Sequence, residues 1–230
     1  MEKYAMIKVE GLSKRFFLHI QGGAVIEALN GVNLSVHPGE CVALHGPSGS
    51  GKSTLLRSLY ANYQPTQGKV LIRHGEDFVD MASSEPRLIL AVRRESVAYV
   101  SQFLRVIPRV SALDLVAEPL LDLGSDEAEA LDRARSLLSQ LNIPERLWGL
   151  APATFSGGEQ QRVNLARGFC AKKPILLLDE PTASLDTANR DVVVRLIMEA
   201  KSLGQAVVGI FHDEPVRDAV ADRLFELEAA

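Results

Sequence analysis

The stretch Cys41-Val-Ala-Leu-His-Gly46-Pro47-Ser48-Gly49-Ser50-Gly51-Lys52-Ser53-Thr54 decides how this chain folds. Its first four residues are an apolar run of strand length. Gly46 to Ser53 then fits G-x-x-x-x-G-K-[S/T] at every fixed position, and a helical run from Thr54 to Tyr60 follows. Glycines let the backbone fold close around a pyrophosphate, with its N–H groups pointing inward at a helix N-terminus. Lys52 is placed to reach the β- and γ-phosphates of a nucleotide, and the Ser53 hydroxyl to ligate Mg²⁺. The flanking strand separates this pattern from an ordinary Gly/Ser-rich turn before a helix. Gly46 through Thr54 are therefore assigned to nucleotide binding.

Outward from this loop, the first third of the chain reads as β-rich. Ile7 and Val9 suggest a short strand, and Val32, Leu34 and Val36 alternate with polar residues at period two. Lys69 to Arg73 and Phe78 to Asp80 flank His74-Gly-Glu-Asp, a hairpin with its turn. The middle is helical. Ser111 caps a segment to about Leu121, and Asp126 with Glu129 opens another whose Leu131, Ala134, Leu138 and Leu141 share a face. The last third alternates strand and helix: Ile175 to Leu178, a helix capped by Asp186 and ended by Gly204, then Ala206 to Ile210. Strands alternating with helices of this length imply an α/β fold, a mostly parallel sheet covered on both faces. Residues 1–230 read as a single domain, with a helical lobe over about 103–168 inserted between sheet strands.

The strand Ile175 to Leu178 ends in Asp179-Glu180. It delivers two carboxylates to the edge of the sheet where a nucleotide lies. Asp179 is placed to hold Mg²⁺ through water, and Glu180 to polarise an attacking water as general base. Twenty-three residues before Asp179, Thr154-Phe155-Ser156-Gly157-Gly158-Glu159-Gln160-Gln161-Arg162 sets a hydroxyl and two glycine N–H groups at the start of a helix read as Glu159 to Ala171. That is a second anion-binding terminus.

Composition sets the outer limits. The chain has 47% hydrophobic and 23% charged residues, enough to bury a sizeable core. Its formal charge of −4 argues against non-specific nucleic-acid binding as its main business. The longest unbroken apolar run is Leu88 to Val92, far short of the roughly 20 residues that cross a bilayer. The start shows no signal-peptide pattern. Cys41 and Cys170 lie far apart with no metal-ligand spacing, which excludes a disulfide framework and points to a reducing compartment. A cytoplasmic chain without direct membrane insertion is expected.

The glycine loop, the Ser-Gly-Gly stretch and the Asp-Glu pair, in that order, resemble the ATP-binding cassette (ABC) family. Phe155 and Glu159 depart from the usual Leu and Gln of its LSGGQ signature, while the Ser156-Gly157-Gly158 core is intact. The resemblance implies an ATPase with an N-terminal antiparallel β subdomain and an inserted helical subdomain, using ATP and Mg²⁺. It implies catalytic roles for Glu180, Gln102, His212 and Lys52, and Mg²⁺ contacts from Ser53, Gln102 and Asp179. It also implies nucleotide contacts from the Ser156–Glu159 signature and from Asp186 in a Ser184-Leu185-Asp186 loop. Phe16 aligns with the aromatic that stacks on adenine, with core packing as the rival reading. One chain carries both half-sites, so the resemblance implies a head-to-tail dimer, with itself or with a second ABC subunit.

Several stretches between the motifs, among them Lys52 to Tyr63, Val100 to Ala112 and Pro144 to Trp148, are similar to an ATP-binding subunit of the bacterial carbon–phosphorus lyase system. That resemblance implies support for forming ribose 1-phosphonate 5-triphosphate in phosphonate use, with the lyase core subunits as partners. The alternative is the ATP-binding subunit of a membrane transporter, of the lipoprotein-release or macrolide-exporter kind. In transporter cassettes the segment after Gln102 docks the membrane partner. Here Phe103 to Leu121 carries Arg105 and Arg109 among apolar residues, a mix that suits a protein partner in either class.

Overall fold

A computed structural model describes residues 5–18, 24–104 and 106–228. His19 and Arg105 lie outside them. The chain builds two sheets. The first is antiparallel in the order β2-β1-β4-β5, from β1 (Ile7–Leu18), β2 (Ala24–Val36), β4 (Gln67–His74) and β5 (Asp77–Asp80). The second runs β6-β7-β8-β3-β9, from β3 (Cys41–His45), β6 (Val97–Val100), β7 (Ile175–Asp179), β8 (Ala206–Ile210) and β9 (Arg223–Glu226). Every pairing in this second sheet is parallel. The fold is α/β, a parallel sheet with an antiparallel β subdomain beside it, as expected from the sequence.

The second sheet is buried on both faces, which is why its strands are uniformly apolar rather than alternating. Along β3, Cys41 and Ala43 join one core while Val42 and Leu44 join the other. Along β7, Leu176 and Leu178 face the first core, and Ile175 and Leu177 the second. The second core lies against the antiparallel sheet and α1 (Lys52–Leu59). The first takes in α3 (Ala112–Leu121), α4 (Glu127–Gln140), α6 (Gly157–Cys170) and α7 (Thr187–Ser202). Both cysteines sit in the first core, and burial pushes their thiols up, Cys41 to about 12 and Cys170 to about 11.

Between β6 and β7 the chain runs through α3, α4, the short α5 (Glu145–Trp148) and α6. Ser111 and Asp126 cap α3 and α4 as their sequences predict, each accepting from first-turn N–H groups. In α4 the fully buried positions are Ala130, Ala134, Leu137 and Leu138, with Leu131 only partly covered. Two further helices, α2 (Pro86–Glu95) and α8 (Glu214–Val220), complete the layer. Among the described residues no helix is long and apolar enough to cross a membrane.

Leu137 has no exposed surface. Leu137→Ala leaves a void that α4 cannot close without losing its grip on α6. An unfolding free energy lower by about 2–5 kcal/mol is expected in urea titrations.

Candidate nucleotide-binding site

Because β6, β7, β8 and β3 are parallel neighbours, their carboxyl ends lie along one edge. The register pairs Val100 with Leu178, Leu178 with Gly209, and Gly209 with Ala43. The loops leaving these strands carry Gln102, Glu180, His212 and the glycine loop, so residues far apart in sequence meet at one place.

The glycine loop is made possible by backbone geometry that side chains resist. Gly46, Gly49 and Gly51 have φ of 142°, 85° and 90°. A methyl on Gly51 would also collide with the Ala28 carbonyl, and one on Gly46 with the Leu227 carbonyl. Lys52, first residue of α1, curls its Nζ back onto the loop and donates to the carbonyls of Gly46 (2.7 Å) and Pro47 (2.8 Å). Ser53 and Thr54 follow in the first turn of α1.

Glu180 sits at the centre. Its Oε2 accepts from Gln102 Nε2 at 3.1 Å, and His212 Nε2 lies 2.9 Å from its Oε1. Its backbone is left-handed, φ 54°, which costs a non-glycine residue on the order of 1–2 kcal/mol. The strained turn is held by its own N–H donating to the Ile210 carbonyl at 3.1 Å. Asp179, one residue earlier, is only 1% exposed. Its Oδ2 accepts from Tyr99 Oη at 3.0 Å, with Arg57 Nε 3.9 Å away. Burial pushes this carboxyl above the usual carboxylate range, and Tyr99 and Arg57 oppose that.

The Ser156 region forms the N-terminus of α6, which begins at Gly157, two residues earlier than its sequence suggests. Ser156 Oγ accepts from the Glu159 N–H at 3.3 Å, and Glu159 Oε2 accepts from the Ser156 N–H and Oγ–H at 2.8 and 2.7 Å. This reciprocal cap explains the physical use of a carboxylate at 159. Gly158 packs against the Ser184 carbonyl, 3.1 Å from where a Cβ would stand. Ser184 is itself left-handed at φ 62°. Asp186 caps α7, accepting from Asn189 N at 2.8 Å. Phe16 joins neither buried core; it lies half-buried, edge-on to Tyr63 at 5.3 Å, with Lys14 Nζ 4.9 Å from its ring.

Three side chains here, Asn164, Tyr99 and Arg57, carry no motif in the sequence, and a fourth, Gln161, lies in the Ser-Gly-Gly stretch with no role assigned to it there. Gln161 donates to the Pro181 carbonyl at 3.1 Å, and Asn164 to the Ser101 carbonyl at 2.6 Å, so α6 grips the loops after both β7 and β6. Two amides three residues apart on a helix share a face, and that spacing was their signal. Tyr99 and Arg57, which bracket Asp179, left none.

The donor set fits a nucleotide and magnesium. Positive-φ glycines leave the backbone bare for the close approach of a phosphate chain, and Tyr99 and Arg57 both engage Oδ2 of Asp179, leaving its other oxygen for a hard cation. No group of three or more His, Cys, Asp or Glu that could hold a metal occurs among the described residues. Magnesium bound by one or two protein oxygens plus phosphate needs none.

Residues 29–183 match the family model described as ABC transporter. The chain belongs to the ABC transporter family. As a member, it is an ATP-binding, ATP-hydrolysing cassette. It is 38% identical over 210 residues to the lipoprotein-releasing system ATP-binding protein LolD of Shewanella frigidimarina, covering 91% of this chain and 84% of that one. It is 36% identical to the macrolide export ATP-binding/permease protein MacB of Wolinella succinogenes, over 97% of this chain but only 33% of that longer protein. Its fold matches the dimeric bacterial ABC transporter cassette MJ0796 with a TM-score of 0.87 at 32% identity, over 97% of this chain and 95% of that one. A post-hydrolysis state of the same cassette, bound to ADP and Pi, matches at 0.86. These relatives are transporter subunits, which corrects the expectation of a carbon–phosphorus lyase role and of lyase core subunits as partners.

The Ser156 cap holds the Glu159 carboxyl below the usual carboxylate range, through the hydroxyl first and the backbone N–H second. Its stabilisation is complete above the ordinary glutamate pKa and is lost as pH falls through the lowered one. Glu159→Ala should lower stability by about 0.5–1 kcal/mol at pH 7. That difference should shrink as the pH falls below the ordinary glutamate range, as read by urea unfolding across an acidic pH series.

Proposed function

We propose that this chain is the ATP-binding and ATP-hydrolysing subunit of a membrane transporter of the lipoprotein-release or macrolide-export kind, with all 230 residues acting as one cassette. The observation that carries the ATPase reading is Glu180, fixed between Gln102 and His212 at the end of β7. A carboxylate held at both oxygens is oriented rather than free, as a general base must be. In this reading Glu180 takes the proton of the attacking water, while Gln102 and His212 fix its direction. Lys52 leaves the carbonyls of Gly46 and Pro47 to meet the β- and γ-phosphates. Ser53, Asp179 and Gln102 would hold magnesium, which when bound offsets the phosphate charge. Phe16 offers a partly exposed ring to the adenine.

Ser156, Gly157 and Gly158 close on the nucleotide held by a second cassette, a copy of this chain or a related subunit. The dimeric state of the MJ0796 match supports this. The γ-phosphate is a dense charge, and donors from two sides stabilise it better than one cradle. The transporter reading draws on the named relatives and on the segment after Gln102. There Phe103 is 74% and Ile107 42% exposed, an apolar face suited to a membrane partner's cytosolic helices.

Glu180→Gln should lower ATP turnover by about 10²–10⁴-fold and accumulate an ATP-bound dimer, seen by light scattering with saturating Mg-ATP. A variant that stays monomeric and turns over normally removes Glu180 from this role. Copurification of the chain with a polytopic permease tests the transporter assignment.

A further inference from the structure

Arg190 belongs to none of the motifs, yet its guanidinium joins two of the loops that carry them. It sits in the first turn of α7, its N–H bonded to the Asp186 carbonyl at 2.9 Å. Its Nε donates to the Leu185 carbonyl at 3.0 Å, and its Nη1 pairs with Asp213 Oδ2 at 2.5 Å. Leu185 lies in the loop that follows Glu180, and Asp213 is the residue after His212. With Glu180, Ser184 and His212, Arg190 and Asp213 line a cavity of about 230 Å³ beside the general base.

The pair is not there for folding strength. Arg190 is 41% exposed at its side chain, and an ion pair that open adds little to stability. What the planar fork supplies is geometry, since one rigid group fixes two acceptors on different loops. The loop it holds is strained at two points, with left-handed backbone at Glu180 and Ser184. A strained loop clamped at one point can shift as a unit.

We propose that Arg190 is a positioning residue that couples the 180–186 loop to His212, so that a partner pressing on Ser184 to Asp186 moves His212 against Glu180. This rests on the two-cassette reading given above. Displacement of the Leu185 carbonyl drags the guanidinium, which pulls Asp213 and with it the adjoining His212. The two composite sites of a dimer thereby sense one another through each chain's own loop.

The test compares Arg190→Gln, Asp213→Asn and the double variant in the full chain, with Asn chosen because it preserves the cap that Asp213 gives α8. Arg190→Gln should lower kcat roughly tenfold and bring the Hill coefficient for ATP down toward one, with KM within twofold and the melting temperature unchanged. Asp213→Asn should do the same, and the double variant should be no worse than either single one. Arg190→Lys should rescue less than half of kcat, because an ammonium lacks the fork. Unchanged kcat and cooperativity in Arg190→Gln, or additive losses in the double variant, overturn the coupling while leaving the two-cassette reading intact, provided Glu180→Gln still dimerises with Mg-ATP. If Glu180→Gln never dimerises, both fall together.

Discussion

In the five-stranded sheet every hydrogen-bonded pair runs parallel, so the chain leaves β6, β7, β8 and β3 in one direction. No local interaction could bring Gln102, Glu180, His212 and Lys52 together, because 160 positions separate the first loop from the last (212 − 52). The sheet does it through register alone. That register holds because both faces are buried; a one-residue slip would exchange the two apolar sets and strand each against the wrong core. The gathering of these four side chains is thus a by-product of hydrophobic sorting on either side of β3 and β7.

Precision beyond the sheet comes from α6. Its cap presents Ser156 and Glu159, its inner amides tie the loops after β6 and β7, and Arg162 donates to the carbonyls of Leu141 (3.1 Å) and Asn142 (2.6 Å) at the end of α4. A single helix therefore touches the helical lobe, the carboxylate loop and the glutamine loop. Rotation of the lobe cannot leave the site unmoved. Asn142 extends the tie, donating to Asn189, which in turn donates to Asp186.

Much of this was legible in residue order. The glycine loop, the Asp179-Glu180 strand end, the caps at Ser111, Asp126 and Asp186 and the hairpin around His74 each have local causes, so local sequence announces them. The helix Pro86–Glu95 was read only as an apolar run because five consecutive apolar residues, Leu88 to Val92, show no helical period on their own, and just Val92 is fully buried. Tyr99 and Arg57 were invisible for another reason. They matter only because β6 and α1 flank Asp179 in space, and nothing in their neighbours records that. The departure at Glu159 was visible as an oddity, but its meaning as the second half of a cap required seeing the hydroxyl and carboxylate face each other. The pathway was the least legible of all, since the motifs that make a nucleotide site say little about what the site serves.

The two cysteines illustrate how packing sets reactivity without any reagent in view. Only the ionised sulfur attacks a disulfide or an alkylating agent. Burial raises both thiols well above the usual cysteine range, so at neutral pH each stays protonated. An oxidant meeting the folded chain finds almost nothing to react with. The sulfurs become chemically audible only when the apolar layer beneath the helical lobe comes apart, which makes them built-in reporters of its cohesion.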